Sequence, residues 1–210
     1  MVIAIDGPAG SGKSTIARLL AERLGFVYIN SGNLYRALTL GCLTHHIVPT
    51  DESQVLAYAE KAPIDYVNGR VHLEGRDVEA ELHTDEIDRW VAPLSAIVPV
   101  RHHINALIRR IAEGKQVVVE GRDMTTVVFP DAEYRFYLDA SPEARARRRY
   151  EQGVSQLSLE EIERRIRERD EIDKNKAEGS LKIGEGVIYL DTSDLTIEQV
   201  YARLIEKIQL

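Results

Sequence analysis

The first apolar residues of the chain, 2–5, form an unbroken run that ends in Asp6-Gly7-Pro8. A run without polar alternation suits a strand covered on both faces, as in a parallel sheet. Similar runs recur at residues 26–29, 117–119, 134–138 and 187–190. Between them, residues 13–24, 34–45, 99–113 and 142–152 carry apolar side chains at helical spacing. Strands alternating with helices predict an α/β fold built on a doubly wound parallel sheet of about five strands. Helix starts are marked by Ser141 before Pro142, by Ser158-x-x-Glu161 and by Thr196-x-x-Gln199. One stretch breaks the alternation. Residues 63–80 hold two strand-like runs around Asn68-Gly69, a strong hairpin signal, and predict a small antiparallel insertion at 62–84 inside a single domain spanning 1–210.

Composition narrows the function more than the fold. A chain of 210 residues is long enough to bury one sizeable core. The formal net charge of -7 disfavours sequence-blind nucleic-acid binding, although local arginines can still hold a small phosphate ligand. The single cysteine, Cys42, permits no internal disulfide and lies in an apolar helical stretch, where it reads as core packing. The run at 2–5 is too short for a signal peptide or a membrane span, so the expectation is a cytoplasmic protein without membrane partners, with a monomer as the default.

The chemistry begins at the end of the first run. Gly7, Pro8, Ala9, Gly10, Ser11, Gly12, Lys13 and Ser14, followed by Thr15, fit G-x-x-x-x-G-K-[ST] between a predicted buried strand and a predicted helix. The glycines let backbone N–H groups wrap an anion, and the helix N-terminus adds favourable potential. Lys13 is expected to reach the β- and γ-phosphates of ATP, and Ser14 to hold Mg²⁺. A guanine-reading N-K-x-D is suggested only superficially by Asn175-Lys-Ala-Glu178, whose fourth residue is Glu and which follows a charged helical run. A motor or transporter ATPase would bring further motifs and a longer chain. Small-molecule kinases remain.

Four segments make the reading more specific: the phosphate loop, Asn30-Ser-Gly-Asn-Leu-Tyr-Arg36, Glu120-Gly-Arg-Asp-Met-Thr-Thr-Val-Val-Phe-Pro-Asp-Ala132, and Glu168-Arg-Asp170 running on to Asp173-Lys-Asn-Lys176. With these segments in this order over nearly the whole chain, the sequence resembles the bacterial-type cytidylate kinases of the nucleoside monophosphate kinase group. The resemblance implies a P-loop kinase fold, ATP- and Mg²⁺-dependent phosphorylation of CMP or dCMP, and an insertion that closes over the monophosphate. By matched position it implies an acceptor site lined by Ser31, Tyr35, Arg36, Arg101, Arg122, Asp123, Arg169, Asp173 and Lys176. Three positions depart from the family pattern: Asn30 for the usual Asp, Thr125 for the usual Gly, and Lys176 for a frequent Arg. Ser95 is not carried over, because its spacing to Arg101 differs from that of relatives.

Residues outside the resemblance point the same way. After Ser158, Leu159, Ile162 and Ile166 form an apolar stripe whose continuation is Arg169, Asp173 and Lys176, so the stripe has either left the core or met a polar site. Glu160–Arg164, Glu161–Arg165 and Glu163–Arg167 are spaced to pair at i, i+4 on the outer faces. Arg145, Arg148 and Arg149 share one helical face, where like charges repel and a polyanion would relieve them, whereas Arg147 can pair with Glu143 and Glu151. The three sharing a face are the candidate catalytic arginines beside Lys13, carried by a short lid at 150–158. Gly-Arg-Asp occurs at 75–77 and 121–123; only the second follows a predicted central strand, at the end where α/β sheets bind ligands. Glu120, at that strand end, suits either a water-bridged metal contact or a structural partner. The reaction expected is ATP + CMP ⇌ ADP + CDP, with UMP or shikimate as alternative acceptors and a nucleotide-dependent regulatory protein as the alternative of another class.

Overall fold

The computed structural model describes residues 1–67, 69–153 and 156–209. In chain order the first elements are β1 (Val2–Asp6), α1 (Lys13–Leu24), β2 (Val27–Asn30), α2 (Ser31–Thr44) and α3 (Glu52–Lys61). The insertion follows as β3 (Ile64–Val67), β4 (Arg70–Leu73) and β5 (Arg76–Asp77). The chain returns through α4 (Asp85–Leu94), α5 (Val98–Ala112), β6 (Val117–Gly121) and β7 (Tyr134–Asp139). It ends with α6 (Pro142–Glu151), α7 (Leu159–Lys174), β8 (Ile188–Asp191) and α8 (Ile197–Ile205). Among the described residues no helix is long and apolar enough to cross a membrane.

All five predicted apolar runs form the main sheet, parallel throughout and ordered β2-β6-β1-β7-β8. Side chains on a strand point alternately to opposite faces. Ile3, Ile5 and Val118 therefore pack with Ile16, Leu20 and Leu204 from α1 and α8. Ala4, Val117 and Val119 face the other way, into a core shared with α2, α5 and the insertion. Two-sided burial is why these strands read as continuous apolar runs. Cys42 is fully buried in the second core, as expected. The register sets Asp6 beside Gly121 and Asn30 beside Glu120, so the ends of β1, β2 and β6 open at one edge.

The three signalled helix starts are capped. Ser141 accepts from Ala144 N at 3.1 Å, Ser158 from Glu161 N at 3.2 Å, and Thr196 and Gln199 make a reciprocal capping box. Each such bond satisfies a helix-end donor and is worth about 1 kcal/mol. The insertion is a three-stranded antiparallel sheet, β3-β4-β5. Gly69 takes φ +78° at its first turn, while Asn68, the other residue of the expected hairpin signal, lies outside the described residues, as do 154 and 155 of the segment 150–158. The first Gly-Arg-Asp stays in this sheet, where Asp77 pairs with Arg70 and Arg76 with Glu81.

Helices α3 and α4 have no counterpart in the sequence reading. Each starts at a cap, Asp51 or Thr84. Helix α4 buries only Ile87, Val91, Ala92 and Leu94 and holds Pro93 near its end, which reads as a stop rather than as helix. Along α7, Glu161–Arg165 and Glu163–Arg167 pair as spaced, but Arg164 turns to Glu161 and Glu168 instead of Glu160. Glu143 likewise pairs with Arg167 and not with Arg147.

Candidate active site

The open edge of the sheet carries the phosphate loop. Gly7 takes φ +151° so close to the carbonyl of Leu138 in β7 that a side chain would collide with backbone there. Lys13, the first residue of α1, is buried and donates its Nζ to Pro8 O at 2.8 Å. Burial, reinforced by the nearby Arg122 guanidinium, pushes its pKa down to about 7, with Glu120 pulling the other way. Ser14 donates to Glu120 Oε1 at 2.6 Å, and Tyr28 OH donates to the same oxygen at 3.1 Å. Ser11, Lys13 and Ser14 line a cleft of about 580 Å³ together with Arg36, Arg122 and Arg169.

The loop after β6 is pinned to β1. Asp6, fully buried, accepts from Met124 N at 2.9 Å, Thr125 N at 2.7 Å and Thr125 Oγ1 at 2.6 Å. Burial raises its pKa to about 6 against these three donors. Thr125 in place of glycine thus supplies an additional donor. Asn30 also has a local explanation: Oδ1 caps α2 through Asn33 N, and Nδ2 donates to Tyr28 OH at 3.2 Å, a bond an aspartate could not give.

Arg122 and Asp123 then enter two joined ion-pair systems. Arg122 Nε donates to Asp173 Oδ2 at 2.8 Å, and Lys176 Nζ donates to Asp173 Oδ1 at 2.7 Å and to Ser95 Oγ at 2.9 Å. Burial opposes the charge on Asp173, yet Arg122, Lys176 and Arg169 outweigh it and hold the carboxyl well below its ordinary range. Asp123 pairs with Arg101, which also donates to Ser95 O at 2.8 Å and lies over the Tyr35 ring. Ser31 donates to Glu120 O at 2.8 Å. Ser95 therefore meets both Arg101 and Lys176, despite its unfamiliar spacing.

Asp88 joins the remaining arginines. Its Oδ1 accepts from Arg36 at 2.5 Å, its Oδ2 from Arg149, and Arg169 stands 3.8 Å away. Burial would push Asp88 upward, but Arg36, Arg149 and Arg169 hold it down at about 2. Arg169 Nε has no hydrogen-bond partner among the described residues and stands 3.8 Å from Asp173 Oδ2, and burial beside Arg122 brings its pKa down to about 10.

Arg145, Arg148 and Arg149 of α6 do not form the unpaired face expected from the sequence; each has its own protein partner. Arg145 is buried and bidentate to Asp170, at 3.0 and 2.5 Å, and donates to Ala140 O and Ala9 O. Arg148 bonds Thr192 Oγ1 and the Thr192 carbonyl, and Arg149 bonds Asp88. Sequence reasoning gave no role to Asp6, Asp88, Asp170 or Thr192, although Asp6 directly precedes the phosphate loop, Asp170 stands in the Glu168-Arg-Asp170 segment and Thr192 lies in the turn-like Asp-Thr-Ser-Asp after an apolar run; Thr192 Oγ1 also bonds Ser11 O at 3.0 Å.

Ser14 Oγ and Glu120 supply adjacent hard oxygen donors, the kind of sparse protein set that Mg²⁺ accepts when phosphates and water complete its shell. Among solved structures the fold resembles an uncharacterised protein from Eubacterium ventriosum (TM-score 0.57, 14% identity, 99% and 98% of the two chains). It also resembles a shikimate kinase from Bacteroides thetaiotaomicron (TM-score 0.54, 14% identity, 100% and 99%). Sequence relatives are nearer. Cytidylate kinase of Caldanaerobacter subterraneus subsp. tengcongensis is 46% identical over 210 residues, covering 99% of this chain and 94% of that one. Cytidylate kinase of Halalkalibacterium halodurans is 40% identical over 212 residues, covering 98% and 96%. The family model for cytidylate kinase matches residues 3–210, and the chain belongs to the cytidylate kinase family.

Proposed function

We propose that this site transfers the γ-phosphoryl group of ATP directly to the phosphate of CMP or dCMP, giving ADP and CDP or dCDP. The activity follows from the family. The observation that carries it to these residues is the cleft itself, lined both by the phosphate loop with Lys13 and by Arg36, Arg122 and Arg169. Two polyanions brought together there need no covalent help from the protein, only positioning and charge stabilisation. Lys13 neutralises the β- and γ-phosphates. Arg36, Arg122 and Arg169 orient the acceptor phosphate, whose ionised oxygen attacks in line without a general base. Ser14 and Glu120 would hold Mg²⁺, which would supply positive charge to the transferring phosphates. Arg148 and Arg149 act from the last turn of α6, next to the proposed lid at 150–158, while Arg145 holds α6 and α7 to the loop through Asp170 and Ala9. The insertion at 62–84 closes over the monophosphate.

Cytosine offers an N4 amino donor beside acceptors at N3 and O2, which suits Asp123 and Arg101; uracil reverses the pattern at positions 3 and 4. Asp173, Lys176, Ser31 and Tyr35 hold this pair and the ribose side in place. The test is acceptor-stimulated ADP release with CMP, dCMP, UMP, AMP and shikimate. Rapid release with CMP and dCMP, and little with the others, is expected; equal release with UMP or shikimate would sink the assignment.

A further inference from the structure

We propose that Asp88 is a built-in stand-in for the acceptor phosphate, a residue that sets monophosphate affinity by occupying its arginines until the substrate takes them. The inference rests on the proposed acceptor site. Arg36, Arg149 and Arg169 come from α2, α6 and α7, and the Asp88 carboxylate, on α4, is the anion they share. Arg36 spends its other terminal nitrogen on Leu82 O at 2.9 Å, so its outward donors go to Asp88. Three cations at this spacing repel one another in a partly dry site, and one carboxylate relieves them. A phosphate has more charge and more acceptor oxygens, so it can displace that carboxylate, at the cost of breaking charge-assisted bonds. There is room for the displaced side chain: a cavity of about 330 Å³ opens behind Asp88 between α4 and α7, bordered by Ala92, Ile162 and Ile166. The ion pairs also tie α4 to α2 and α6.

The test compares wild type with Asp88→Asn and Asp88→Ala. Calorimetric titration with CMP and with cytidine isolates the phosphate's share of binding. The account predicts that the affinity ratio of CMP to cytidine rises about tenfold in both variants, the size expected when one charge-assisted competitor is removed. It also predicts a lower Tm in phosphate-free buffer, restored by inorganic phosphate at concentrations lower than wild type requires. A purely structural Asp88 would lower Tm but leave the ratio unchanged or reduced, and that result overturns the proposal. The phosphate titration reads Asp88 without reference to the base, so a wild-type enzyme inactive on CMP would count against the assigned substrate and not against the stand-in. Should the alanine variant fail to fold, the isosteric Asp88→Asn decides.

Discussion

The residues proposed here to take the phosphoryl donor and those proposed to take the acceptor, the donor and acceptor walls, are built in different ways. The donor wall is local: one strand, one loop and one helix turn put Lys13 and Ser14 in place within residues 2–14, and backbone geometry does most of the work. The acceptor wall is assembled from α2, α4, α5, α6, α7 and the end of β6, and charge holds it together: Arg101–Asp123, Arg122–Asp173–Lys176 and Asp88 with its arginines. The donor wall thus meets ATP nearly ready-made, whereas every cation of the acceptor wall near a substrate phosphate already has, or nearly has, an anion. Binding on that side is an exchange of partners, and its selectivity lies in what the substrate can replace.

Breaking the donor wall is expected to have the largest effect. Lys13→Ala should fold, by circular dichroism, yet lose about 10²–10³ in kcat, the scale of one lost electrostatic contact to the transition state. Wild-type turnover in that variant would remove the phosphate loop from the mechanism. Next comes a contrast within one helix. Arg145→Ala strands Asp170 in the interior and should cost about 3 kcal/mol in chemical denaturation, the usual scale for a broken buried pair. Arg149→Ala should leave stability within about 1 kcal/mol, as for a pair nearer the surface, while lowering kcat about tenfold or more. If both variants lose stability and neither loses kcat selectively, α6 carries no lid arginine.

That contrast also shows what the sequence could and could not convey. The central strands were legible because two-sided burial leaves continuous apolar runs, the exposed edge strand β8 by its apolar residues alone, and the phosphate loop because its residues are contiguous. The acceptor arginines, and Asp123 and Asp173 that pair with two of them, were legible through family resemblance, but the pairings of Asp88 and Asp170 were not. Asp170 lies 25 positions from Arg145, and Asp88 lies 61 from Arg149. No local pattern encodes such pairings, so Arg145, Arg148 and Arg149 looked like one repelling face. Asp88 was further hidden on α4, whose short apolar stripe ends at a proline. Lys176 and Thr125 looked like departures until Ser95, Asp173 and Asp6 supplied their partners.

A smaller effect concerns base choice. Asp123→Asn keeps the side chain's volume beside Arg101 but replaces an anionic acceptor with an amide. The ratio of kcat/KM for CMP over UMP should fall about tenfold, within the range of one lost base-edge contact. An unchanged ratio, with both acceptors slowed alike, would make Asp123 a support for Arg101 only. The smallest effect is a proton. Lys13, held at about 7 by burial in the free enzyme, is mostly neutral at pH 8, and a bound triphosphate raises its pKa by adding opposite charge. ATP binding at pH 8 should therefore take up about one proton beyond the nucleotide's own, a net that vanishes in Lys13→Met. Calorimetry in two buffers of different ionisation enthalpy reads it, and equal uptake in both proteins would place the proton elsewhere.

The most direct measurement follows the phosphoryl group itself. With γ-labelled ATP, Mg²⁺ and CMP, the account predicts that wild-type enzyme places the label in CDP, one for each ADP formed, and that Lys13→Ala does not. Label released as inorganic phosphate, with none in CDP, would contradict direct transfer in this cleft.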